Sequence, residues 1–106
     1  MDLKFRPFRR ERFAVDLAAE LQKIDDSEIN VRIGWLWDGG IEVRLGDEMN
    51  GFDAAETVSS VAEIVPWLQE AIARFYPKSD YAASLSPEVK ERGARRLFLA
   101  PRIAAR

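Results

Sequence analysis

The sequence predicts an α+β fold: a small antiparallel sheet of two or three strands, in the order α-β-β-(β)-α-α, with helices packed on one face. Three observations carry this reading. One apolar stripe runs through residues 9–24, two runs at 29–37 and 41–46 alternate with period two, and a second apolar stripe runs through 60–75. Spacings of three and four residues line one side of a helix, and a spacing of two lines one face of a strand. A chain of 106 residues with 47% hydrophobic and 32% charged residues suits a single domain spanning 1–106.

The first helix is read from Phe13, Leu17, Leu21 and Ile24, with Ala14 and Ala18 beside them. Pro7 suits the approach to it, because the missing N–H would be unpaired there in any case. Asp25-Asp26-Ser27 ends it, and two carboxylates there oppose the helix dipole.

The two alternating runs make a hairpin. Ile29, Val31, Ile33, Trp35 and Trp37 share one face of the first, and Ile41, Val43 and Leu45 share one face of the second. A three-residue loop of Asp38-Gly39-Gly40 sets Trp37 against Ile41, Trp35 against Val43 and Ile33 against Leu45, with Gly40 in the left-handed region. On that register both tryptophans face the core. The other reading of the pair is a stacking platform for bases. Asp47 to Gly51 is a turn, and Phe52 to Val58 forms a third strand only if Ala54 and Ala55 are tolerated there.

The second helix, 60–75, starts at a Ser60–Glu63 capping box and carries Val61, Ile64, Leu68, Ile72 and Phe75 on its core side. Pro66 must bend it or divide it. Trp67 lies off that stripe, either on a second core face or exposed for interaction. Ser86-Pro87-Glu88 begins a last helix running to about Leu99, with Gly93 weakening its middle.

Composition narrows function further. The chain has no cysteine and no histidine, which removes thiolate metal sites, disulfides, and the commonest general base and metal ligand. The acidic turn at 47–53 fails as a calcium loop, since Gly46 and Thr57 fall where acidic ligands are required. No nucleotide loop is present, because Gly34, Gly39 and Gly40 do not open a helix. The reading is therefore of a non-enzyme with no catalytic residue, cofactor or metal. Neither a signal peptide nor an apolar run long enough for a membrane helix is evident, so the expected location is cytoplasmic. Twelve arginines against four lysines, with fourteen alanines, suggest a GC-rich bacterial genome.

Charge is unevenly placed. Residues 1–12 carry five basic and two acidic groups, residues 88–106 six and two, and residues 13–87 five and fourteen. An acidic body thus has two basic ends, which either fold back on it or meet an external anion. Arg92, Arg95 and Arg96 share a helical face and are followed by the apolar run Leu97-Phe98-Leu99. These six residues, with Trp67, are the candidate partner-binding set. The expectation is that 86–106, a helix with a basic tail, docks on the body or on a second copy. An open sheet edge favours a homodimer.

The order helix, three strands, helix resembles that of double-stranded RNA-binding domains. That family meets the RNA backbone with a basic second helix, whereas residues 60–75 carry Glu63 and Glu70 against Arg74 alone, so its function is not carried over. The run from Gly40 through Asp47, Gly51 and Thr57 is similar to HicB-type antitoxins over less than half of the chain, mostly in turn residues. Taken together, the sequence points to a small non-catalytic protein-binding or regulatory protein. The alternative is a nucleic-acid binder acting through the arginine clusters at 9–12 and 92–96.

Overall fold

The computed structural model describes residues 17–98. They form helix α1 (17–26), strands β1 (Val31–Trp35), β2 (Ile41–Leu45) and β3 (Ala54–Val58), and helices α2 (Ile64–Phe75), α3 (Asp80–Ala83) and α4 (Pro87–Arg95). The sheet is an antiparallel meander in the order β1-β2-β3, with helices packed on one face. The α+β order predicted from the sequence holds, and the third strand is present. Residues 9–16 of the first predicted helix lie outside the described residues.

Helix α1 ends in a Schellman motif. Glu28 takes φ 62°, its N–H bonds the Asp25 carbonyl, and the N–H of Ile29 reaches back to Ile24. This turn drops Ile29 and Ile24 into the core and sends the chain into β1. Ala54 and Ala55, which weaken a strand by propensity, are accommodated because Ala54 is fully buried opposite Leu45. Burial against a neighbour outweighs intrinsic preference there.

The hairpin differs from its predicted register. Trp35 lies opposite Ile41, Ile33 opposite Val43 and Val31 opposite Leu45. The loop still has three residues, but they are Trp37, Asp38 and Gly39. Gly39 takes φ 107° and donates to the Leu36 carbonyl, and Leu36 in turn donates to that of Gly40. This is a type I turn with a glycine bulge. Either glycine can supply the left-handed position. With Gly39 in it, Gly40 stays beside the ladder, where a Cβ would press on the Thr57 and Leu36 side chains. The register moves by two residues, which preserves the faces. Trp35 therefore keeps the side of the sheet expected for it, but at the far end, while Trp37 leaves the sheet altogether.

Pro66 divides the second predicted helix. Residues Val61–Glu63 form a 3-10 turn, and Pro66 then sits in the first turn of α2, where its missing N–H breaks no bond. The expected capping box is replaced by Ser59 and Ser60 hydroxyls that both donate to Glu63 Oε2, at 2.8 and 3.2 Å. The core lies between the sheet and α1, α2 and α3, and Ile24, Leu45, Ile64, Leu68, Ile72 and Val43 are its largest fully enclosed side chains. Short α3 was not predicted, although Ser79 caps it through Ala82 N–H and Asp80 opens its first turn.

Candidate interaction surface

The arginines of α4 are bound up within the chain. Helices α2 and α4 pack together at Gly93, which is buried against the Glu70 carbonyl and Ala73. Above this crossing, Glu70 accepts from Arg92 Nε at 3.0 Å and from Arg96 Nη1 at 2.8 Å. Burial works to raise the Glu70 carboxyl, but the hydrogen bonds of Arg96 and Arg92 outweigh it and hold the group below its ordinary range. Arg96 also reaches Glu56 at 3.4 Å, and Glu56 accepts from Trp67 Nε1 at 3.1 Å. From the other side Arg74 donates to the carbonyls of Gly93, Ala94 and Arg96, closing the C-terminal end of α4. The Phe98 ring lies edge-on to Trp67 and Phe75, with the Arg96 guanidinium 5.4 Å from its centroid.

Of the residues singled out in the sequence, the structure thus brings Arg92, Arg96, Phe98 and Trp67 together against α2. Trp67 is buried, so of its two readings the second core face is the one realised. Arg95 is tied to Glu91 at 2.7 Å on the exposed side of the helix, and Leu97 is 84% exposed. Leu99 and the arginines at 9–12 lie outside the described residues.

Two side chains that the sequence reading places in the core are instead among the exposed large apolar groups of the described residues. Trp35 is 64% and Trp37 99% exposed, and Leu36 between them is also open to solvent. This corrects the core assignment of both tryptophans. Trp37 is displayed because the tight turn projects it away from the sheet. Trp35 is displayed because no helix among the described residues covers that end of the inner face. Exposed bulky apolar side chains gathered on one tip mark contact sites, and tryptophan is the residue most enriched where interfaces hold their energy.

Beside the hairpin, between α1 and β1, opens a cleft of about 360 Å³ lined by Leu21, Ile24, Asp25, Ile29, Val31 and Ile33. Its walls are aliphatic apart from the Asp25 carboxylate. The opposite face of the sheet is polar. There Arg32 and Arg44 lie over the Phe52 ring at 5.7 and 5.0 Å, paired with Glu48 and Glu42 respectively. No helix among the described residues is long and apolar enough to cross a membrane. Comparison with known protein families, curated proteins and solved structures finds no match to this chain.

Proposed function

We propose that this chain is a small, non-catalytic binding or regulatory protein of the cytoplasm, homodimeric, that acts by protein–protein contact through the tip of the β1–β2 hairpin. The observation that carries the reading is the display of Leu36 and Trp37 on a hydrogen-bonded, glycine-bulged turn. Holding a tryptophan at full exposure forgoes the stabilisation its burial would bring, of the order of 2–3 kcal/mol for a large apolar side chain. A partner that buries it recovers that stabilisation at little cost in ordering, because the turn is already fixed. Nucleic-acid contact has less support, since Arg92, Arg95 and Arg96 all have carboxylate partners within the chain.

The test compares the wild type with Trp37→Ser as affinity baits in a lysate of the source cell. A protein recovered by the first and lost by the second is then purified and titrated, with tryptophan emission as the readout. The expected result is a blue shift on binding that the variant does not show. Identical recovery by both baits would remove the hairpin from the reading. A salt titration with short DNA and RNA duplexes runs alongside it. Binding that falls steeply with salt would favour the nucleic-acid alternative instead.

A further inference from the structure

We propose that β1 is the interface of a two-fold homodimer, two copies of the strand pairing antiparallel with Ile33 opposite Ile33 of the second copy. This deepens the protein-contact reading and rests on it, with a second copy of the chain as the partner named.

The backbone supplies the first argument. The register of β1 on β2, with Leu36 donating to Gly40 and Gly46 to Asn30, turns the even-numbered residues of β1 toward β2. In an antiparallel ladder the intervening residues then point their N–H and C=O groups away from the pair. Val31, Ile33 and Trp35 thus present three donors and three acceptors along the free edge, and no group among the described residues bonds to them. Their side chains all lie on the apolar inner face. Such an edge is a template for strand addition.

The other edge is guarded. Glu56 stands on the inner face of β3, facing the helices, tied to Trp67 and Arg96. An inward-pointing charge on an edge strand is a device that blocks pairing. β1 has none, and its one charged residue, Arg32, is on the outer face.

Self-complementarity selects the second copy as occupant. One end of β1 carries the exposed Trp35, and the other end lines the open cleft at Ile29 and Val31. A two-fold axis through Ile33 sets Trp35 of each copy opposite Val31 of the other, so each indole meets the cleft of its neighbour. Asp25, in the cleft lining, offers an acceptor for the indole N–H, the pairing Trp67 already makes with Glu56. An isologous contact requires this kind of reciprocity. Charge then excludes a neighbouring register. An axis one residue nearer the N-terminus would set Arg32 against Arg32 of the second copy, and like charges directly opposite repel. The register through Ile33 sets Arg32 against Gly34. Trp37, beyond the paired strands, stays at the tip for an outside partner.

Because the chain contains no cysteine, cross-linking can read the register directly. Arg32 and Gly34 of the second copy form a non-hydrogen-bonded pair, whose Cα atoms lie about 4.5 Å apart, within disulfide reach. Gly34 is an open strand position with nothing near a built Cβ, and Arg32 is exposed, so both accept cysteine. Arg32→Cys mixed with Gly34→Cys should oxidise mainly to the mixed dimer, each alone cross-linking far less. Sedimentation of the wild type at micromolar concentration should give twice the 12.1 kDa chain mass, and Trp35→Lys should return the chain mass with the melting temperature of wild type diluted until it is monomeric. A wild-type monomer overturns the dimer and leaves the Trp37 test of the hairpin standing. A dimer that survives Trp35→Lys, or that fails to cross-link through the mixed pair, overturns this interface.

Discussion

Replacing Gly93 by alanine tests the packing that holds α4 in place. By helix propensity alone the change should stabilise α4 by about 1 kcal/mol. The structure predicts the opposite. A Cβ built on Gly93 falls inside the contact radius of the Glu70 carbonyl oxygen and lies 3.2 Å from both Ala73 Cβ and the Glu70 carbonyl carbon. Ordinary carbon–carbon contacts are about 3.5–4.0 Å, so the helices must part by roughly 0.5–1 Å, which forfeits a quarter to a half of the dispersion attraction across the seam. The obstructing atoms are mostly backbone and cannot rotate away. Overpacking of this kind costs about 1–3 kcal/mol, and rigid surroundings place it at the upper end. Subtracting the propensity gain leaves a net loss of about 2 kcal/mol, or a fall in melting temperature of roughly 8–16 °C for a domain of this size. Urea unfolding followed by circular dichroism measures it. Gly34→Ala, in open space on β1, is the control and should be neutral or slightly stabilising. A Gly93→Ala protein as stable as the wild type, or more so, would show that α2 and α4 do not cross as described.

Further outcomes follow from the same structure. Glu28→Gly relieves a left-handed residue at φ 62° and should stabilise by about 1 kcal/mol in urea titration; a loss would contradict the Schellman motif. Glu70, held below its ordinary range in the folded state, stabilises fully above the unfolded value of about 4.3, and that contribution is lost as pH falls through the lower folded value. Glu70→Gln should therefore be less stable than wild type at neutral pH yet lose less on acidification; equal slopes of urea midpoint against pH would dismiss the network. Tyr76 is pushed up to about 12 by burial and by its 2.6 Å hydrogen bond to Asp53. Tyr81 is raised further by burial and its bond to Glu20. Their contribution is complete below the unfolded value of about 10 and is lost as pH rises through the folded values. Ultraviolet titration of the folded protein should show no phenolate step near pH 10; a step of one tyrosine's amplitude there would refute one contact, and a step of two would refute both.

The pattern of faces was legible in the sequence, while the extent of burial along them was not. Alternation placed Val31, Ile33 and Trp35 on one side of β1, and the structure agrees. Alternation cannot say how far along a strand its covering helix reaches, and this decides that Ile41 is buried while Trp35 beside it is exposed. The hairpin shows a similar limit. Consecutive glycines at 39 and 40 leave two three-residue loops of equal parity, and hydrophobic matching favoured the one that buried Trp37. Gly93 is the reverse case. As a helix residue it reads as a weakness, and only the approach of α2, whose Glu70 lies 23 positions away in sequence, shows that a side chain there has no room.

The same distinction separates the two sets of residues that compete for the role of binding surface. Arginines and an apolar run at the C-terminus look like a partner site in one dimension, because their carboxylate and aromatic counterparts are distant in sequence. Glu70 and Glu56 lie 26 and 40 positions from Arg96. Folded, Arg92, Arg96 and Phe98 find theirs: charge meets charge on a carboxylate that is itself largely screened from solvent, and Phe98 meets Trp67 and Phe75. A group whose interactions are satisfied within the chain has less to gain from an outside partner, since that partner must first displace what is there. The hairpin is the converse. Its backbone edge lacks partners among the described residues, its tryptophans lie open, and its turn is already ordered. Among the described residues nothing lies over Trp37 for a partner to displace.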